Sequence, residues 1–463
     1  MFRFPRTHGS LVLLLSSLLT VSALAATFPT SRPHSTNNDD TCDVAVMPAA
    51  TLLLPYFEVQ LDASIIRAKT TLFTIVNTVP EPQIAHVTIW TDWGYPVLSY
   101  NLLLTGYDVE SINLFDVLAR GILMQQWSTA KIPGARSLPN HANPHFRSDA
   151  AQSCPFQAQR VPEALLQDVR SALTTGVISS CGAKRVGGTH ANATGYITID
   201  VVSTCNSRTP ADPGYYDEIL YDNVLTGDYQ HLSPDPNVGN YAGGAAMVHL
   251  RAVPEGGRAG AEVESTLPYT FYDLYTPDDA RRKDRRQPLP STFATRYVEG
   301  GAGQFKTELQ FWREPAMGRG DACGLAPNGA MDVTEIVRFD ERENPTAISN
   351  AIAAVPSAAR IPTTSELFPP SVPGEVAGWL YVNANNGGSM SYSTAPGRDF
   401  TSNSSTTVGR RQSQNWLSLS MYAESRYSAL FDATMLANGC SIAPAKSGSN
   451  ASAAIGPGGN ETP

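Results

Sequence analysis

The feature that most constrains the fold of this chain is a period-two alternation of apolar and polar residues within residues 70–118. Val87 and Ile89 fall on one side of an extended chain, and Trp90 and Asp92 fall on the other. This alternation predicts a strand with one buried face. Short joins rich in Pro and Gly separate this segment from similar ones, which is typical of antiparallel strands in a sandwich or barrel.

Two segments have helical instead of strand periodicity. The first begins after Asn113, a suitable N-cap, and carries the acidic Asp116 in its first turn. The second covers residues 161–175, with Pro162 in the first turn and Gly176 at the end. We therefore expect a β unit that ends in a helix, followed by a connector that contains another helix.

The remaining chain repeats the strand pattern. An apolar run at residues 51–61, interrupted by Pro55, predicts an edge strand. Later alternating segments predict a mainly β fold with antiparallel β-sandwich architecture, in two β units with a small helical insertion between them. The expected divisions are a signal peptide (1–25), a disordered lead-in (26–41), a first β-sandwich unit (42–126), a helical connector (127–190), a second β-rich unit with long loops (191–440) and a disordered tail (441–463).

The N-terminus predicts export. Arg3 and Arg6 precede an apolar stretch at residues 11–21, and Ala23 and Ala25 form a small-residue cleavage site. We expect a secreted, periplasmic or cell-surface protein with no transmembrane segment after removal of the signal. The net charge of −9 disfavours nucleic acid as a partner, because phosphate binding requires a positive surface.

Six cysteines in an exported chain predict three disulfides. The pairing is left open, and the preferred set is Cys154–Cys181, Cys205–Cys323 and Cys42–Cys440. The alternative is zinc binding, for which the sequence lacks C-x-x-C spacing.

A candidate ligand-binding surface lies at the end of one predicted strand. It consists of Trp90, Asp92, Trp93 and Tyr95. Exposed aromatic rings beside a carboxylate can stack on a sugar or anchor a protein partner. The alternative is that these rings pack inside or between the sheets.

A second candidate site is acidic. Asp217, Glu218, Asp222 and Asp228 offer the oxygen ligands that calcium prefers, although their spacing is not that of an EF-hand. A structural calcium ion is the one cofactor predicted, and an ordinary polar loop is the alternative. The dense basic run at residues 281–286 is predicted to be a solvated loop or a short charged helix, with polyanion binding as the alternative.

The chain contains none of the usual catalytic motifs, such as G-x-S-x-G, H-E-x-x-H or a P-loop. No catalytic residue is predicted, and the protein is expected to be a non-enzyme. Paired carboxylates for glycoside hydrolysis need not be close in sequence, so a secreted polysaccharide hydrolase is an alternative.

The segments LLLPYFEV, AHVTIWTDWG, RRQPLPSTFATRY and NWLSLSMYAESRYS resemble those of uncharacterised exported bacterial β-rich proteins. The resemblance covers most of residues 42–440 and implies no activity. The early strands are also similar to immunoglobulin-like β-sandwich modules, a likeness of architecture alone.

These features together predict an exported, disulfide-stabilised β-sandwich protein with a binding or structural role at or outside the cell surface. Its expected partner is an extracellular protein or a carbohydrate. Alternatives are the secreted polysaccharide hydrolase and a periplasmic protein that binds a small ligand or a metal.

Overall fold

The fold is mainly β, in antiparallel sheets, as the alternation predicts. Two α-helices lie within the part of the chain that the structure describes, α1 (Leu114–Arg120) and α2 (Glu163–Thr174). The predicted signal peptide, lead-in and C-terminal tail lie outside the residues that the structure describes. A computed structural model of the chain describes residues 46–123, 143–150, 160–210, 212, 214–235, 239–252, 271, 284–287, 289–290, 292–301, 304–314, 331–333, 335–348, 352–355, 358–362, 376–384, 415–423 and 427–435.

The first eleven strands form two sheets and a short ribbon. They are β1 (Thr51–Val59), β2 (Thr70–Asn77), β3 (Gln83–Thr91), β4 (Pro96–Leu104), β5 (Val109–Asn113), β6 (Val177–Ile178), β7 (Lys184–Arg185), β8 (Ala193–Val202), β9 (Leu225–Asp235), β10 (Gly239–Ala246) and β11 (Val248–Leu250). The central sheet has the order β11-β1-β8-β3-β4, and the first outer sheet has the order β10-β9-β2-β5. The ribbon pairs β6 with β7.

The first hydrophobic core lies between the central sheet and the first outer sheet. Leu54 of β1 and Val87 of β3 meet Ile75 of β2 and Tyr229 of β9 there. Burial of these apolar side chains is the main favourable term for this layer. The two sheets therefore form a sandwich.

The later strands build a second pair of sheets with its own core. They are β12 (Thr292–Val298), β13 (Phe305–Arg313), β14 (Met331–Val333), β15 (Glu335–Phe339), β16 (Pro345–Ile348), β17 (Ile352–Val355), β18 (Ala358–Pro362), β19 (Ala377–Asn383), β20 (Asn415–Ala423), β21 (Tyr427–Asp432) and β22 (Thr434–Met435). One sheet has the order β16-β15-β19-β12-β22, the other has the order β18-β13-β20-β21, and β14 pairs with β17. Phe293, Leu309, Leu380 and Leu419 contribute to the second core.

A third core covers the other face of the central sheet. Trp90 and Tyr196 of that sheet join Trp312 of β13 and Trp416 of β20 in one buried cluster. The central sheet is therefore covered on both faces, and every residue of β3 and β8 is buried. The prediction of a half-exposed β3 was wrong, because alternation detects one apolar face but not a second layer over the other.

The predicted division at residue 190 was also wrong. β8 pairs with β1 and β3, and β9 pairs with β2. Strands assigned to the second unit (191–440) therefore complete the sheets of the first unit (42–126). The first pair of sheets draws on strands up to β11, and the second pair begins at β12.

The start of α1 and the end of α2 lie where the sequence predicts them, whereas Pro162 precedes α2 and is not part of its first turn. The Asn113 side chain accepts a hydrogen bond from the Phe115 amide at 2.9 Å, which satisfies one free donor of the first turn of α1. α2 begins directly after Pro162, and Gly176 follows it with a positive φ of 73°. That left-handed conformation favours glycine and ends the helix.

Pro55 marks a bulge within β1. The pairing of β1 with β8 shifts between Leu54 and Phe57, and β11 pairs only with the first three residues of β1. The shift changes which residues face each side, since a bulge inserts an extra residue into the alternation. Phe57 joins the first core, whereas Tyr56 joins the third core on the opposite side.

Cys181 and Cys205 are each disulfide-bonded. Cys42, Cys154, Cys323 and Cys440 lie outside the described residues, so the preferred pairing stays a prediction. Among the described residues, neither helix has the length and apolarity needed to cross a membrane.

Candidate functional site

The predicted aromatic surface is largely part of the third core. Trp90 is fully buried, stacks on Tyr196 with the ring centroids 5.5 Å apart, and donates its indole N–H to Thr198 Oγ1 at 2.8 Å. Tyr95 is also buried. Trp93 is half-buried, and the Arg185 guanidinium lies 5.4 Å from its ring centroid. Trp90 and Tyr95 therefore pack inside the protein and do not form the predicted ligand surface.

Asp92 is buried and binds other protein groups. Its Oδ1 accepts a hydrogen bond from the Gly188 amide at 2.9 Å, and its Oδ2 lies 2.8 Å from His190 Nε2. Its backbone carbonyl accepts a hydrogen bond from the Ala358 amide at 3.0 Å. Asp92 therefore positions His190 and links the central sheet to β18.

The four predicted calcium ligands do not converge. Glu218 Oε1 accepts hydrogen bonds from Arg208 Nη1 at 2.6 Å and from Arg147 Nη1 at 3.2 Å. Asp222 contacts His145 Nδ1, and Asp228 is an exposed residue of β9.

Asp217 ends a 3₁₀ helix, Tyr215–Asp217. The described residues contain no group of three or more His, Cys, Asp or Glu side chains arranged to hold a metal ion. The prediction that these carboxylates form a calcium site was therefore wrong. Neighbouring carboxylates point in different directions, and Glu218 is hydrogen-bonded by two arginines.

The prediction of a solvated loop or a short charged helix at residues 281–286 was also wrong for the residues of this run that the structure describes. Arg285 and Arg286 are buried, not solvated. Arg286 bridges Asp284, with Nη2 at 3.0 Å, and Asp200, with Nη1 at 3.2 Å. Tyr215 also donates its hydroxyl to Asp200. This network compensates charges inside the third core.

A solvent-accessible cleft with a volume of about 550 Å³ lies where the central sheet meets β13 and β18. This size is within the range of small-molecule sites. The residues that carry its polar chemistry are Glu58, Lys69, His190, Asn192, Glu308 and Arg360.

The fold brings these residues together from distant parts of the chain. Glu58 lies after the β1 bulge, and Lys69 is close because the Gln60 amide donates to the Lys69 carbonyl at 2.9 Å. Arg360 lies opposite Gln310 in the pairing of β13 with β18, so its guanidinium reaches Glu308 diagonally.

Arg360 joins the two carboxylates of the cleft. Its Nη1 donates to Glu58 Oε2 at 2.9 Å, and its Nε donates to Glu308 Oε2. Glu308 Oε1 also accepts a hydrogen bond from Tyr422 Oη at 3.1 Å. The guanidinium therefore connects the central sheet to the second pair of sheets.

Glu58 has two further partners. The Asn192 side-chain amide donates to Glu58 Oε1, and Lys69 Nζ lies 3.7 Å from the same oxygen. Both carboxylates are thus held in place from more than one direction. Such support fixes the geometry of a polar site.

These contacts shift the ionisation of the cleft. Burial acts to raise the pKa of Glu58, but Lys69, Arg360 and the Asn192 hydrogen bond outweigh burial, and the pKa is lowered. Burial acts to lower the pKa of Arg360, but Glu308 and Glu58 outweigh it and raise the pKa. Glu58 and Arg360 are therefore both charged at neutral pH.

Two aromatic hydroxyls near the cleft stay protonated. Burial raises the pKa of Tyr56, and Glu58 adds to the effect. Burial and the neighbouring Glu308 raise the pKa of Tyr422 to about 12. Both phenols are therefore neutral at physiological pH, and Tyr422 acts as a hydrogen-bond donor to Glu308.

Reasoning from sequence missed this cleft. Glu58 lies in the apolar run at residues 51–61, which predicts only an edge strand, and Glu308 lies in one of the later alternating segments. A usable signal was present, since a charged residue within an otherwise buried strand needs a partner. Nothing in the sequence identifies Arg360 as that partner, because it lies 302 residues from Glu58 along the chain.

Comparison of the chain with protein-family models, with curated proteins and with solved structures gives no match.

Proposed function

We propose that this chain is an exported, disulfide-stabilised β-sandwich protein that binds a small ligand in the cleft formed by Glu58, Lys69, His190, Asn192, Glu308 and Arg360. The role is one of binding, at or outside the cell surface. Export rests on the sequence of residues 1–25, and the disulfide framework rests on the even cysteine count.

The observation that carries the proposal is a set of ionic groups that are held in place and still accessible. The side chains of Glu58, Lys69 and Arg360 are 18%, 37% and 31% exposed. By contrast, Arg286 and its carboxylate partners are almost completely buried and act in folding. Groups that a ligand can reach, in a geometry fixed by their neighbours, are what a binding site requires.

A screen of small ligands by thermal unfolding tests the proposal. Ala191 is exposed and lines the cleft without making its ion pairs, so Ala191→Trp fills the space and leaves those pairs intact. Leu165→Trp, on the exposed face of α2, is the matched control. A ligand that binds the native state raises the melting temperature.

We expect a ligand that stabilises the wild-type protein and Leu165→Trp but not Ala191→Trp. Equal stabilisation of all three proteins by every active ligand places binding elsewhere and refutes the cleft. A screen in which no ligand stabilises the wild-type protein also counts against a binding role.

The polysaccharide hydrolase has one observation in its favour, since two carboxylates face the same cleft. A glycosidase also needs a carboxyl group that keeps its proton near neutral pH and acts as the general acid. Glu58 does not meet that requirement because its pKa is lowered, and both oxygens of Glu308 already accept hydrogen bonds, from Arg360 and from Tyr422. Binding without hydrolysis is therefore the better-supported function.

A further inference from the structure

The charge balance of the cleft restricts the class of ligand. The carboxylates of Glu58 and Glu308 face the cations of Lys69 and Arg360, so these four groups are close to neutral in sum. His190 is paired with the buried Asp92 and adds no isolated charge. A ligand with a large net charge would leave uncompensated charge in a partly desolvated site, which is costly.

The existing ion pairs also disfavour a zwitterion. Its ammonium group would compete with Arg360 for Glu58, and its carboxylate would compete with Glu308 for Arg360. Each new pair would replace one already made, with little net gain. A neutral hydroxyl group instead uses the remaining acceptor and donor capacity of these groups without breaking a pair.

The cleft places hydrogen-bond donors and acceptors close together, which suits hydroxyl groups. Arg360 Nη1 donates and Glu58 Oε2 accepts, 2.9 Å apart, and the Asn192 amide and Lys69 ammonium are further donors. A hydroxyl group can donate one hydrogen bond and accept two. Adjacent hydroxyls of a sugar ring lie about one hydrogen-bond length apart, so one can donate to the carboxylate while its neighbour accepts from the cation.

We propose that the cleft binds an uncharged saccharide, whose neighbouring hydroxyl groups bridge the Glu58–Arg360–Glu308 ion pairs. This inference rests on the proposed binding function and adds the class of ligand. Hydrogen bonds to charged groups are the stronger kind, and they give the site its specificity.

Isothermal titration calorimetry at neutral pH tests the inference with defined probes. The neutral probes are maltotriose, cellotriose, chitotriose and galactose; the charged probes are sialyllactose and trigalacturonate; the zwitterionic probes are glycine and glutamine. Each probe is titrated into the wild-type protein, Ala191→Trp and Leu165→Trp.

We expect at least one neutral saccharide to bind the wild-type protein and Leu165→Trp, with an association constant reduced about tenfold or more in Ala191→Trp. Unchanged unfolding curves of the two tryptophan variants show that the fold is retained. Glu308→Gln keeps the shape of the side chain and removes its charge, so it should weaken saccharide binding while the Leu165→Trp variant does not.

The remaining outcomes separate the two proposals. If only charged or zwitterionic probes bind, and Ala191→Trp blocks them, the saccharide inference fails and the binding cleft stands. If a saccharide binds Ala191→Trp as tightly as the wild-type protein, the site is elsewhere and both proposals fail. If no probe binds any of the proteins, the saccharide inference is refuted, and the ligand screen decides the binding function separately.

Discussion

Replacing Arg360 with methionine removes the guanidinium that joins Glu58 of β1 to Glu308 of β13. Methionine keeps much of the side-chain length and apolar contact, so the substitution mainly tests the charge. The expected result is a protein that folds but has a lower free energy of unfolding.

The magnitude follows from the surroundings of Arg360. Hydrogen bonds to charged groups each contribute about 1.5–3 kcal/mol, and removing one partner of a buried ion pair costs about 3–5 kcal/mol. The Arg360 side chain is 31% exposed, so solvent screens part of this energy. Glu58 also keeps Lys69, and Glu308 keeps Tyr422. We therefore expect a loss of about 2–3 kcal/mol.

Urea unfolding measures this loss, and Arg120→Met is the matched control. Arg120 pairs with Asp116 on the surface of α1 and is 52% exposed, so its removal should cost about 0.5 kcal/mol or less. A double-mutant cycle of Arg360→Met with Glu308→Gln should give a coupling energy of about 1 kcal/mol or more. The reasoning is refuted if Arg360→Met costs no more than Arg120→Met, or if the two cleft substitutions are additive.

Three further predictions concern the layers around the cleft. Trp90→Ala leaves a cavity at a stacked, fully buried position, so urea unfolding should show a free energy of unfolding lower by about 3–5 kcal/mol. A decrease of less than about 1 kcal/mol would contradict a core role for Trp90. A Cβ at Gly195 would lie 1.9 Å from the Trp90 carbonyl oxygen, so Gly195→Ala should lower the melting temperature clearly, and an unchanged value would contradict this close approach of β3 and β8. Burial lowers the pKa of His231 to about 4, whereas a histidine in the unfolded chain titrates near 6.5. The native state therefore binds fewer protons than the unfolded state, and the free energy of unfolding falls by up to roughly 3 kcal/mol as the pH falls from about 6.5 to 4. His231→Gln should lose less stability over that range, and identical pH profiles in urea unfolding would argue against a neutral buried ring.

The sequence was a good guide where one local signal determines the structure. Asn113 and Gly176 mark helix ends through their own side chain or backbone conformation, and both predictions were confirmed. Period-two alternation likewise predicted strands in the segments that form β3, β4, β8 and β13. These features depend on residues within a few positions of one another.

The sequence was a poor guide where a second layer changes the surroundings of a residue. Trp90 lies on the polar side of an alternating strand, and only the packing of β13 and β20 against that side makes it a core residue. Arg286 lies in a run of charged residues, and its burial depends on Asp200, which is distant in the chain, as well as on the nearby Asp284. The ion pair of Glu58 with Arg360 could not be predicted for the same reason, because a single sequence does not show which distant residues contact each other.

Hydrogen–deuterium exchange with and without a neutral oligosaccharide tests the central claim most directly, because it locates the binding surface without assuming it. The account predicts slower exchange in the segments that carry Glu58, Asn192, Glu308 and Arg360, with no such change in Ala191→Trp. Protection confined to other segments, or exchange that is unchanged at saturating ligand, would contradict a ligand-binding cleft between the central sheet and β13.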